Sequence, residues 1–219
     1  MHRKTLFSFC TVVFPLTLLL LCSGCGSQRV TPTKTMRYAL EYEPPVFTDL
    51  PPLETSLRIG PFSAAPEFDS DRILYRAEKY TLEAYNYHVW MAKPAAQVQF
   101  FLGRDLQRSG LFNAVLTESG RYRPAYLLGG SVEKFLEIDE GNQWFAELSL
   151  NIILQRLPQA GTMAGVLEQH NYQARKACSR QDPQAVAEAM SMAMEELSRQ
   201  IQQDTYTIIR KDLAEKAGG

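Results

Sequence analysis

Cysteine, histidine and closely spaced carboxylates are the residues that could carry chemistry, and this chain has few of them. Its four cysteines are Cys10, Cys22, Cys25 and Cys178, and its histidines are His2, His88 and His170. Neither His88 nor His170 has the spacing of a zinc site such as His-Glu-x-x-His. The sequence has no Gly-x-Ser-x-Gly elbow to activate a serine and no Gly-Lys-Ser/Thr loop to cradle phosphates. Asp69/Asp71 and Asp139/Glu140 fall at expected turns, where Asp bonds its own backbone, so turn formation accounts for them. Met190, Met192 and Met194 could form a soft binding surface, but core packing explains Met190 and Met194, and only Met192 falls off the buried stripe. No catalytic residue, no metal site and no cofactor is expected.

Cys25 is the exception. His2-Arg3-Lys4 is a short basic stretch, an apolar run follows from Leu6 to Leu21, and small residues Ser23-Gly24 precede the cysteine. Basic, apolar, then small is the pattern of a secretory signal. Pro15 interrupts the run, which is short of the ~20 apolar residues that span a bilayer, and no basic stop-transfer cluster follows. Ser-Gly-Cys resembles a lipobox, with Cys22 where Leu is usual, and this implies cleavage before Cys25 and acylation of its thiol and amine. Each buried methylene contributes ~0.8 kcal/mol, so more than one acyl chain makes a lasting anchor. In such lipoproteins Asp after the cysteine signals inner-membrane retention; Gly26 stands here, so the periplasmic face of the outer membrane is expected, with palmitate-type acyl chains.

Residues 1–24 hold two of the 23 Lys/Arg and none of the 24 Asp/Glu, so the remainder carries a net charge of −3. With no Lys/Arg cluster in the sequence, nucleic acid is excluded as a partner. Cys178 is left as the lone thiol, so the core must be stable without a disulfide.

The domain plan is a signal over 1–24, a lipidated tether over 25–35 and one folded domain over 36–219. Met36 to Tyr42 alternates as a first strand, with Pro44-Pro45 and Pro51-Pro52 bracketing a loop behind it. Leu57 to Ile59, ending at Gly60-Pro61, reads as a short strand, and Asp71–Tyr80 and Thr81–Met91 as two longer ones rich in aromatics. Pro94 opens a helix whose stripe is Val98, Phe101, Leu102 and Leu106, and Gly110 suits the position past its end. Leu111–Leu116 and Tyr126–Asp139 read as strands, the second with a bulge expected at Gly129-Gly130. Trp144–Leu154 alternates strictly, its even positions apolar, and Val166–Ala177 is a more polar final strand. Asp182-Pro183 caps a long helix with Val186, Met190, Ala193, Leu197 and Ile201 buried. The fold class is α+β, a single domain with a mainly antiparallel sheet and two helices packed on one face.

Several segments in this order resemble the ABC-type transport auxiliary lipoproteins. They are Tyr38-Ala-Leu, Leu57-Arg-Ile-Gly-Pro-Phe, Asp71-Arg-Ile-Leu-Tyr-Arg and Tyr85-Asn-Tyr-His-Val-Trp90, then Leu106 to Phe112, Tyr126 through Asp139, the Trp144 strand and the closing helix. The resemblance spans about Arg37 to Ile209. It implies a non-enzymatic accessory of a lipid-handling ABC transporter that docks to a periplasmic protein of the mammalian-cell-entry (MCE) class. A partner of ring-forming proteins can itself be a homo-oligomer, although no coiled-coil seam is visible.

Tyr80, Tyr85, Tyr87 and Trp90 are the candidate partner-binding residues, being aromatics of the kind enriched at interfaces; filling the core beneath the first helix is the competing role, above all for Trp90. Two other functions fit the same composition. One is a binding module that carries a lipid or hydrophobic solute in an apolar cavity, which Phe145, Ile153 and the tyrosines could line. The other is an envelope assembly lipoprotein.

Overall fold

The computed structural model describes residues 33–118, 120–159 and 163–218. Cys25, the leader and all but the last three residues of the expected tether lie outside that set. Thr35–Gly219 forms one compact unit. In chain order its elements are β1 (Met36–Tyr38), β2 (Leu53–Ala64), β3 (Arg72–Arg76), β4 (Glu83–Trp90), α1 (Pro94–Ser109), β5 (Phe112–Leu116), β6 (Tyr126–Asp139), β7 (Trp144–Arg156), β8 (Gly165–Ala177) and α2 (Pro183–Ala217). The fold is α+β.

The sheet forks at β6. One edge of this strand pairs along its whole length with β7, which pairs in turn with β8, both antiparallel. The other edge is shared. Its first half pairs with β2, which carries β5, and its last residues pair with β3, which carries β4 and then β1. Most paired residues lie in the antiparallel ladders, as expected for a mainly antiparallel sheet. The two branches nevertheless join β6 through parallel pairings, and β1–β4 and β2–β5 are parallel too.

Both helices cover one face. The even residues of β7 from Ala146 to Leu154 are buried there, with Leu57, Ile59, Tyr126, Leu128 and Tyr172 from neighbouring strands. Val98, Phe101, Leu102 and Leu106 of α1 and all five stripe residues of α2 meet them. Met190 and Met194 are core, and Met192 is exposed. The termini follow local chemistry. Pro94 and Pro183 sit at the helix starts, the Asp182 side chain accepts the Ala185 N–H at 2.8 Å, and Gly110 ends α1 at φ 66°. Asp105, fully buried, ties α1 to α2 and to the segment after β1 by accepting from Ser198 Oγ (2.6 Å) and Tyr42 Oη (2.7 Å).

Several strand limits differ from the periodicity. β1 stops at Tyr38, and Ala39–Tyr42 continues without a ladder partner. β2 runs straight through Gly60-Pro61 because its register on β6 shifts between Ile59 and Phe62, which spares Pro61 a ladder N–H. The bulge expected at Gly129-Gly130 therefore lies in β2, opposite them, and a second lies between Val132 and Lys134 where β6 meets β7. Gly130 serves a different need: a Cβ there would stand 2.1 Å from the Asn151 carbonyl oxygen. β3 and β4 are shorter than read, since Thr81 N bonds back to Glu78 O (3.2 Å) and closes a turn at the tip.

Candidate functional site

The β3–β4 arm gathers most of the aromatic residues singled out above. Its register with β3 pairs Arg72 with Val89 but Leu74 with Ala84, so β4 carries surplus residues between these points. The surplus bulges out around Asn86 and Tyr87, and strict alternation along Tyr85, Tyr87, Val89 and Met91 is lost. Tyr87 takes the left-handed conformation, φ 62°, and is 57 % exposed. Tyr80 at the hairpin tip is also left-handed, φ 71°, and 90 % exposed, with Lys79 Nζ 4.9 Å above its ring. This conformation costs a side-chain-bearing residue about 1–2 kcal/mol. Leu82 at the tip, Met91 just past β4 and Met36 on β1 are further exposed apolar residues of the same arm.

Tyr85 points the other way. Its hydroxyl donates to Glu137 Oε2 at 2.8 Å, and its ring lies 5.0 Å from that of Tyr75. Tyr75 Oη donates to Glu83 (2.7 Å), and Tyr38 Oη meets His88 Nδ1 (2.9 Å). Tyr38, Tyr75, Tyr85 and His88 thus form a half-buried aromatic cluster on the same arm. Glu137 is buried, and its second oxygen, Oε1, has no hydrogen-bond partner. Burial and the nearby Asp139 and Asp182 raise its pKa, against the lowering effect of the Tyr85 hydrogen bond. Burial, with Glu137 close by, pushes the Cys178 thiol up to about 12, so it stays protonated and unreactive at neutral pH.

Trp90 takes the competing, core role. It is 1 % exposed and packs edge-to-face on Phe135, ring centroids 5.1 Å apart. Of the four aromatic candidates, Tyr80 and Tyr87 are accessible, Tyr85 is committed to Glu137, and Trp90 is out of a partner's reach. His170 sits exposed beside Tyr172 on β8, far in the sheet from His88. Among the described residues no group of three or more His, Cys, Asp or Glu could hold a metal. None of their helices is long and apolar enough to cross a membrane.

Phe145, Ile153 and the tyrosines were the residues that could line the cavity a carrier would need. Phe145 instead lies under the Arg175 guanidinium, 4.0 Å from its ring, and Ile153 is on the helix-free face among Asn151 and Gln155. One surface cleft, of about 530 Å³, has a mixed polar and apolar wall that includes Ala96, Phe100, Gln99, Arg104, Arg108 and Glu118.

A basic group was missed from the sequence. Arg58 of β2 and Arg121 and Arg123 of the β5–β6 connection line one cleft of about 500 Å³, although no Lys/Arg cluster stands out along the chain. Arg121-Tyr-Arg123 was the local signal; Arg58, more than sixty positions earlier, is brought in by the pairing of β2 with β6.

Residues 38–202 match the family model for the ABC-type transport auxiliary lipoprotein component. The fold is similar to that of a crystal structure from Xanthomonas campestris assigned to DUF330, at TM-score 0.73 and 22 % identity, covering 82 % of this chain and 99 % of that one. It is also similar to an uncharacterized protein (TM-score 0.57, 12 % identity, 74 % and 99 % covered). A hypothetical protein from Chlamydia trachomatis shares it as well (TM-score 0.54, 7 % identity, 72 % and 98 % covered). No curated protein sequence matches.

Proposed function

The chain belongs to the ABC-type transport auxiliary lipoprotein family, and from that premise we propose that it is the lipid-anchored, non-enzymatic auxiliary component of an MCE-type transporter for lipids. Acylated Cys25 holds it at the periplasmic face of the outer membrane. The tether of ten residues, Gly26 to Thr35, reaches at most ~35 Å, which keeps the domain near the bilayer. β1 runs parallel to β4 with Met36 opposite His88 and Tyr38 opposite Trp90, so the folded chain begins beside the end of β4 away from the hairpin tip, next to Tyr87.

Tyr80 and Tyr87 are the contact residues for the periplasmic MCE protein. The family match over residues 38–202 carries the reading, and the two exposed, backbone-strained tyrosines supply the surface. Strained backbone persists where surrounding structure holds it, commonly at functional positions. Large exposed aromatics are also the side chains that most often anchor interfaces. Tyr85 backs this surface through Glu137 and is not itself a contact.

Two experiments test the parts separately. Metabolic labelling with radioactive palmitate, comparing the chain with Cys25→Ser, tests the anchor: label and membrane association lost in the variant support it, and a variant that stays membrane-bound overturns it. Co-purification of the MCE protein with folded Tyr80→Ala/Tyr87→Ala tests the docking, and undiminished capture overturns it.

A further inference from the structure

We propose that the cleft formed by Arg58, Arg121 and Arg123 is a binding site for a phosphate ester of headgroup size. The cleft lies at the opposite end of β6 from the tyrosine arm and stands independently of the docking proposed above. Arg58 opposes Leu127 of β6 and Leu116 of β5, on the sheet face away from the helices. Its Nη2 donates to the Tyr122 carbonyl oxygen at 2.7 Å, which fixes the direction of the guanidinium. Its Nε is shielded from water and has no partner.

The loop bearing the other two arginines is pinned to the scaffold. Ala125 N donates to the Ser56 oxygens (3.1 and 3.2 Å), Leu157 N to Ala125 O (2.8 Å), and Gln159 Nε2 to Pro124 O (3.0 Å). Bonds at Pro124 and Ala125, with that from Arg58 to Tyr122 O, thus anchor the loop that carries Arg121 and Arg123 beside Pro124 and Leu157. No Asp or Glu lines the cleft. Arg156, one turn of chain away, shows the contrast: its charge is neutralised by Asp212 on the helix side. Among the described residues, Arg58, Arg121 and Arg123 make no ion pair.

Three arginines lining one cleft without a carboxylate, in a chain of net charge −1, select an anion. Guanidinium forks match the oxygens of phosphate in paired hydrogen bonds, and the exposed forks of Arg121 and Arg123 are free to make them, with the Arg58 charge beside them. An open cleft of about 500 Å³ admits more than a bare phosphate, so the ligand is a phosphate carrying a further group. A phospholipid headgroup and a free phosphate ester share that chemistry.

The test uses the purified full chain in non-ionic detergent, titrated calorimetrically with glycerol phosphate and with dihexanoyl phosphatidylglycerol. Dihexanoyl glycerol and a pentaglutamate peptide serve as probes lacking phosphate. Saturable one-site binding is expected for the phosphate probes, weakened at least tenfold in Arg121→Ala/Arg123→Ala and several-fold by raising salt, since screening weakens exposed charge pairs. The same double variant should keep its unfolding temperature, because both side chains are exposed. Tighter binding of the lipid than of glycerol phosphate assigns the site to a headgroup, and equal binding assigns it to a free ester; both uphold the inference. Absence of saturable binding, equal binding of pentaglutamate or dihexanoyl glycerol, or unchanged affinity in a folded double variant overturns it.

Discussion

The two branches of the forked sheet leave β6 by the same edge and end in opposite surfaces. The β3–β4–β1 arm exposes tyrosines held by strained backbone over a buried, partly unsatisfied carboxylate. The β2–β5 branch exposes arginines on a loop anchored by ordinary hydrogen bonds beside Pro124 and Leu157. Their supporting carboxylates differ in the same way. Glu137, beneath the tyrosine arm, is buried with one oxygen lacking a partner. Asp212, at the arginine end, accepts from Tyr126 Oη (2.7 Å), pairs with Lys216 (2.7 Å) and meets Arg156. The carboxylate at the tyrosine end is left partly unmet and that at the arginine end is fully paired, although Arg58 Nε has no partner there either. Strained backbone marks the surface offered for binding by shape, whereas the charge-based surface is presented on unstrained backbone.

The largest effect that would break this picture is at Trp90. Replacement by Ala removes a fully buried indole from beneath the tyrosine arm and should destabilise the fold by about 3–5 kcal/mol, read from the urea midpoint. A loss below ~1 kcal/mol would mean that the arm is not anchored through Trp90.

Next come the carboxylates, whose pH dependences have opposite signs. Burial disfavours ionised Asp212, but Lys216, Tyr126 and Arg156 overcome this and hold its pKa below the ordinary range. On acidification the unfolded chain takes up the proton first, so stability present above the ordinary carboxylate range is lost as pH falls towards the depressed value. Glu137 is raised by burial, so in the window above the ordinary range the native state retains a proton that the unfolded chain has released. Its contribution therefore declines as pH rises through that window. Asp212→Asn should flatten the acid limb of the stability–pH curve, and Glu137→Gln the limb above it. Two variants that flatten the same limb would dissolve the contrast. Tyr126→Phe, which removes a hydrogen bond to an ionised group, should cost about 1.5–3 kcal/mol.

A smaller effect sharpens the comparison. Tyr87→Gly relieves the left-handed backbone and should stabilise the fold by about 1 kcal/mol while reducing capture of the MCE protein. A destabilised Tyr87→Gly would show that the tyrosine ring, rather than strain, dominates there. Smallest of all, Tyr80→Ala should change stability by no more than about 0.5 kcal/mol, as an exposed substitution does, with the thermal midpoint as the readout.

Where local pattern decides structure, the sequence was readable. The stripes of α1 and α2, their proline starts, the Asp182 cap, Gly110 and the alternation of β7 all follow from contacts within one or two turns or along one strand. The failures are non-local. Nothing in Tyr85-Asn-Tyr-His announces that Tyr87 will turn over at positive φ, because the bulge is set by where β3 stops pairing. Gly129-Gly130 signalled a special place on β6, yet the extra residue lies in β2 and Gly130 admits a close backbone approach by β7. Trp90 and Tyr87 are equally aromatic and three positions apart; only the surplus residues separate core from surface. Arg58 joins Arg121 and Arg123 through strand pairing, which periodicity cannot foresee.

The central claim is that the tyrosine arm, and not the arginine branch, meets the MCE protein. A photocrosslinking amino acid placed at position 87, and in a second strain at position 121, would test it in living cells, with the adducts identified by mass. Crosslinks to the MCE protein from position 87 and none from position 121 are the predicted result. Crosslinks to it from position 121 alone, or from neither position, would contradict the account.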